Sequence, residues 1–389
     1  MIARLSPLFQ SALVIAVLIA PMSASILGFE PAPVVVPESR DPARAPRLAG
    51  FWADPAGFVS RLASGFAERF PLRQTLIRSG NRLRLAVFGE SPVPGVVIGQ
   101  KGWLYYSLEQ ALDDYLNVMN LPRTLQDDMV RVLTERRDRL AAQGIAFYVL
   151  VPPDKHTAYP EFLPPYVRRL RPLSRLDILK DRLTQAGIAV IDVRDELARA
   201  KAVRRTYWKT DTHWNAWGAF TAAKALVETL RTRFPGIPAL REDDFDVVEA
   251  VVPGGDLAGM LLMPDLFPET NIRLVPKNPE GRGRPAVFGA PRPYADPADH
   301  PERAMVVAET GDKDLPKVLF FRDSFASAMI PFLAGRFQSA VFLWNHAYLP
   351  GIVAAERPDA VVLEVIERQQ YAFLLENPPE PSQPPTSTP

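Results

Sequence analysis

Between residues 120 and 370, short apolar runs of strand length alternate with stretches in which apolar residues recur every three to four positions. The runs at 145–151, 188–193, 318–321, 340–344 and 360–365 predict buried strands, because a strand covered on both faces is apolar throughout instead of alternating. The 3.6-residue pattern predicts helices over 123–142 and 173–186, each stopped by a glycine, Gly144 and Gly187. A third helix is capped by Asn215 and ends near Phe234. Alternation of this kind builds an α/β fold, a mostly parallel sheet flanked by helices. From Phe245 to Pro301 the pattern weakens. Two strand-like pieces, 245–252 and 271–275, lie among glycines and prolines and read as loops with a short hairpin.

The two ends follow other patterns. Residues 5–29 are uncharged and centred on Leu13-Val14-Ile15-Ala16-Val17-Leu18-Ile19-Ala20. As a helix they would span roughly 37 Å. Arg4 precedes them and the next basic residue is Arg40, so residues 1–29 read as a signal anchor or a cleaved signal peptide, Ser23-Ala24-Ser25 permitting cleavage. Either reading places the rest of the chain outside the cytoplasm, in a periplasmic setting. Residues 30–48 read as a Pro-rich linker and 377–389 as a disordered Pro-rich tail, leaving 49–376 as one domain. A net charge of +1, with no sustained basic helix, argues against nucleic acid as a partner, and the absence of cysteine excludes disulfides and thiolate catalysis.

Two short segments carry the candidate chemistry. Asp211-Thr212-His213, if extended, points an acid and a base to one face, and Ser324, at a strand-to-helix turn, offers an exposed hydroxyl beside helix N-terminal N–H groups. Together they suggest acyl transfer through a serine ester. No second histidine stands near enough in sequence to His213 to complete a metal site, so no metal or other cofactor is expected. Further polar residues fall at predicted strand ends, where open α/β sheets bind ligands. Lys155 contacts substrate or solvates a loop, Asn345 is a candidate oxyanion donor, and Tyr106, with Trp103 and Tyr105, stacks on ligand rings or joins the core. Asp256, Glu364 and Arg368 read as an ion network.

At this level of detail the chain resembles the alginate O-acetyltransferase family. The resemblance runs through FWADPAGFVSRLASGFAERFPLRQTLIRSGNRLRLAVFGESP, VVIGQKGWLYY, PPDKHTAYPEFLP, DTHWNAWGAF, GGDLAG, FRDSFASAM and PDAVVLEVIERQ, in that order. It implies an SGNH-hydrolase-like domain with Ser324 as nucleophile, His213 as general base and Asp211 orienting it. It also implies transfer of acetyl groups to hydroxyls of an exopolysaccharide acceptor, the acetyl being passed across the membrane by a multispanning acyltransferase partner. Arg322 departs from the family pattern, standing where SGNH proteins have glycine. The residue either reshapes the backbone of the oxyanion site, steers an anionic sugar, or is a tolerated variant. Two other functions share the same residues: an exported carbohydrate esterase, with water as acceptor, and a noncatalytic polysaccharide-binding protein.

Overall fold

The computed structural model describes residues 73–118, 121–277, 283–292 and 303–370, with isolated positions between 11 and 60. The proposed linker and tail lie outside the described residues, as does the apolar N-terminal segment apart from Ser11, Ile15, Ile19 and Ser23. Among the described residues no helix is long and apolar enough to cross a membrane. The chain forms two compact units, one drawn from Met1–Pro94 and Ala258–Phe267, the other from Gly95–Leu257 and Pro268–Pro389. In the first, Arg73–Phe88 forms a helix, and Asn81 donates to the Leu261 carbonyl at 2.9 Å.

Among its described residues the second unit holds eleven strands: β1 (Val96–Ile98), β2 (Leu104–Tyr106), β3 (Ala146–Val151), β4 (Ala189–Asp192), β5 (Phe245–Val252), β6 (Glu269–Pro276), β7 (Val287–Gly289), β8 (Val306–Glu309), β9 (Lys317–Arg322), β10 (Ser339–Trp344) and β11 (Ala360–Glu364). Seven of them make one sheet in the order β4-β3-β11-β9-β10-β8-β7. The first five run parallel, and β8 and β7 add antiparallel pairings at one edge. All five parallel strands match the apolar runs of the sequence, whereas β7 and β8 escaped detection because three or four residues carry too little periodicity.

Alternate residues of the central strands enter two separate cores. Tyr148, Phe320, Phe342 and Val362 face one side, where the Ala216–Arg231 helix contributes Phe220, Leu226 and Leu230. Val149, Leu319, Val341 and Leu363 face the other, against Leu133 and Leu140 of Arg123–Ala141 and Leu179 and Leu183 of Arg175–Gln185. The result is a helix–sheet–helix sandwich, in which each fully buried side chain of this size contributes roughly 1.5–3 kcal/mol. Gly144 and Gly187 follow the latter two helices with φ of +77° and +75°, the left-handed conformation that ends a helix without steric penalty.

The stretch after Val252 holds more order than its composition suggests. β5 and β6 pair antiparallel over eight residues, from Phe245↔Pro276 to Val252↔Glu269, so the hairpin is long, not short. Trp103 and Tyr105 are buried, and the Tyr105 hydroxyl donates to the Tyr159 carbonyl at 2.6 Å, which makes both of them core residues.

Candidate active site

Ser324 follows the carboxyl end of β9 and opens the short helix Ser324–Ser327. The turn is held by Asp323, which caps that helix by accepting the Phe325 N–H at 2.8 Å and reaches across to accept the Ile366 N–H at 2.8 Å. Asp323 in turn donates its own N–H to Glu364, at the end of β11, at 2.9 Å. The serine thus sits where two neighbouring strands end, tied to both.

Asp211 and His213 lie in the connection between the Arg194–Val203 and Ala216–Arg231 helices. The Asp-x-His segment is a bend and not the extended stretch expected, because Asp211 Oδ1 accepts the backbone N–H of His213 at 2.9 Å and folds the chain around itself. The same oxygen lies 2.8 Å from His213 Nδ1. An ionised carboxylate can only accept, so Nδ1 carries the proton and Nε2 presents its lone pair. That lone pair lies 2.8 Å from Ser324 Oγ, across 111 positions of sequence. Burial pulls the His213 pKa down, but its hydrogen bond to Asp211 and the negative charge there outweigh that and leave it raised. Burial likewise opposes ionisation of Asp211, yet its bonds to His213 hold its pKa at about 2.

Several buried groups fix this connection. Lys155, 2% exposed, directs its ammonium at the carbonyls of Trp208, Lys209 and Asp211, at 3.3, 3.2 and 2.6 Å, so its three protons meet three acceptors. Burial lowers its pKa to about 8, which leaves the cation present at neutral pH. Lys155 therefore neither contacts substrate nor solvates a loop: it braces the bend from beneath. Glu269 braces it from the side, its Oε2 accepting from Lys209 N, Thr210 N and Thr210 Oγ1. Trp214 joins the two halves of the site, donating its indole N–H to the Phe325 carbonyl at 3.0 Å and packing edge-on against that ring. Neither Glu269 nor Trp214 stood out in the sequence, although Trp214 is next to His213.

A cleft of about 570 Å³ opens over Ser324, lined among others by Asn345, His346, Trp344, Arg303, Arg368 and Glu109. Asn345 is the one proposed substrate or oxyanion residue that faces this space. Its Oδ1 accepts the Ala347 N–H at 2.7 Å, which fixes the side-chain amide. Tyr106 is not among the lining residues, and its ring lies 5.3 Å from the Arg368 guanidinium. Arg322 is 1% exposed and its guanidinium turns inward, donating to Ser327 Oγ at 2.7 Å and to the Asp323 carbonyl, 4.5 Å from the Trp344 ring. It cannot steer a sugar. Nor does it distort the turn, since residue 322 ends a strand and is not among the residues with positive φ, so no glycine is required there.

The expected ion network also divides differently. Arg368 pairs with Asp154 at 2.7 Å and Glu109 at 3.1 Å, and Glu364 holds Asp323, while Asp256 stands apart from both, beside His213. Asp211, His213 and Asp256 offer donor atoms within 4.8 Å of one another, a spacing that could hold a cation. Both nitrogens of His213 are already engaged by Asp211 and Ser324, a pattern suited to proton relay.

Residues 96–280 match the family model of the SGNH hydrolase-like domain of acetyltransferase AlgX. The chain is 31% identical over 209 residues to "Probable alginate O-acetylase AlgJ" of Pseudomonas aeruginosa, covering 52% of this chain and 50% of the relative. To the protein of the same name from Azotobacter vinelandii it is 27% identical over 212 residues, covering 52% and 51%. The chain thus spans about half the length of the curated relatives it matches. Among solved structures, the O-acetyltransferase domain of Pseudomonas putida AlgJ aligns with a TM-score of 0.45 at 20% identity over 72% of this chain and 93% of that one. Bacillus cereus PatB1 aligns with a TM-score of 0.48 at 15% identity, over 72% and 98%. By its sequence and its mostly parallel, helix-flanked sheet, the chain is related to the alginate O-acetyltransferase proteins of the AlgJ/AlgX type and carries an SGNH hydrolase-like domain.

Proposed function

We propose that this protein is an extracytoplasmic O-acetyltransferase that moves an acetyl group, through an ester on Ser324, to hydroxyls of an alginate-like exopolysaccharide. The observation that carries the reading is the unbroken chain of 2.8 Å contacts from Asp211 through His213 to Ser324, opening on a cleft. His213 Nε2 takes the Ser324 proton as Oγ attacks the donor's acetyl carbonyl, and Asp211 keeps the imidazole in the tautomer that allows it. The leaving group departs with that proton. A sugar hydroxyl then gives its own proton to Nε2 and attacks the acyl-serine, restoring Ser324. Asn345, which lines the cleft, would donate to the developing oxyanion. The uncharged run at 5–29 supports export and membrane attachment, and acetyl-CoA being cytoplasmic, a multispanning membrane acyltransferase would supply the acetyl group.

Hydrolysis is the competing outcome, and the solvent exposure of His213, 32% of its side chain, favours it to the extent that water reaches the acyl-serine. Both reactions need the same nucleophile. With p-nitrophenyl acetate as donor, Ser324→Ala should reduce turnover by ~10³-fold or more, and undiminished turnover would overturn the assignment. Adding polysaccharide to the wild type separates the acceptors: acetylated polymer supports transfer, and free acetate formed at an unchanged rate supports the esterase.

A further inference from the structure

Asp256 opens the Asp256–Met260 helix and takes no part in the relay described above. Its Oδ1 accepts the Thr212 N–H at 2.7 Å, its Oδ2 lies 3.8 Å from His213 Nδ1, and its own N–H donates to Asp211 Oδ2 at 3.0 Å. Each acid therefore holds the backbone that carries the other or its neighbour. The preceding residue is fitted to the same end. A Cβ on Gly255 would lie 2.4 Å from Asp211 Cβ and 2.6 Å from Asp211 Oδ2, and its N–H donates to Thr210 Oγ1 at 3.0 Å. Position 255 has negative φ, so glycine is needed there for space and not for conformation. Close approach of this segment to Asp211, 45 positions away, is thus a built feature of the site.

We propose that Asp256 is a positioning residue for His213, a second carboxylate that fixes the bend through Thr212 and stands beside the imidazole as it takes up the Ser324 proton. The proposal rests on Asp211, His213 and Ser324 forming the relay. An imidazole with one carboxylate hydrogen-bonded at 2.8 Å and a second at 3.8 Å gains a proton more readily than with the first alone. The charged and titratable groups around the pair are Asp211 on the same bend, Arg368 from the turn after β11, which opposes protonation of His213, and Lys155 and Tyr106, which interact with Asp256.

Asp256→Asn separates the two roles, since the amide oxygen can still accept from Thr212 while the charge is lost. Its test is the pH profile of p-nitrophenyl acetate turnover together with an NMR titration of His213, which needs no activity. The variant should move the acid limb and the His213 midpoint to lower pH by ~0.5–1 unit, and lower kcat by about 3- to 10-fold with KM within about twofold. Asp256→Ala, which also frees the Thr212 N–H, should cost about 10- to 100-fold. An Asn variant whose limb and His213 midpoint coincide with the wild type's would overturn the proposal. If Ser324→Ala instead kept full turnover, the relay itself would fail, and the His213 titration would still decide whether Asp256 acts on the imidazole.

Discussion

A single imidazole sets the chemistry of this site, and its environment predicts how activity depends on pH. His213 acts as a base only when neutral, and its pKa is raised above the ordinary histidine value by Asp211. Activity is therefore lost as pH falls through that raised value, so the acid limb of kcat/KM should lie above pH ~6.5. In Asp211→Asn the limb should move down and kcat should fall by ~10³-fold or more, because the amide no longer selects the useful tautomer. A pH series on the two proteins measures both, and a wild-type limb below pH ~6 would contradict the arrangement.

The bend that carries His213 is braced from several directions, and the cation beneath it is the most exposed to test. Lys155→Met keeps the length of the side chain and removes all three donors, leaving the carbonyls of Trp208, Lys209 and Asp211 without them. Loss of about 2–4 kcal/mol in urea unfolding is expected, with kcat reduced about 10- to 100-fold and KM nearly unchanged. A variant as stable and active as the wild type would show that the bend holds itself. Much of this scale is legible in the sequence. The five parallel strands announce themselves as unbroken apolar runs because both their faces are covered, and glycines at 144 and 187 stop helices because only a left-handed residue can end them cheaply there. What stays hidden is contact between distant segments. Nothing local tells that Lys155 turns inward instead of outward, that Glu269 at the start of β6 accepts from residues 209 and 210, or that Asp256 belongs with His213 and not with Arg368. Each of those depends on a partner some 45 to 60 positions away.

At the scale of the whole molecule, acids collect under the carboxyl edge of the sheet. Glu367, 2% exposed, accepts the Asp154 N–H at 2.9 Å, and burial, with the charges of Asp114 and Asp154, raises its pKa to about 8. The unfolded chain ionises this group near its usual value of 4.5 while the folded chain still holds the proton. The folded state thus binds more protons between pH 4.5 and about 8, and the stability linked to Glu367 falls as pH rises across that window. Glu367→Gln should flatten this dependence and stabilise the protein at pH 8 by on the order of 1–2 kcal/mol. Thermal unfolding at pH 5, 6.5 and 8 decides it, and parallel curves for the two proteins would refute it. The sheet order has a consequence in time as well. β11 is the last of the described strands in chain order and lies between β3 and β9, so it bridges an early strand and a late one. Until residues 360–366 leave the ribosome, β3 and β9 have no common neighbour, and Asp323 lacks its anchors at Glu364 and Ile366. The serine turn can be set only after residues 360–366 have been made, so a chain cut short of them carries the nucleophile without the geometry to use it.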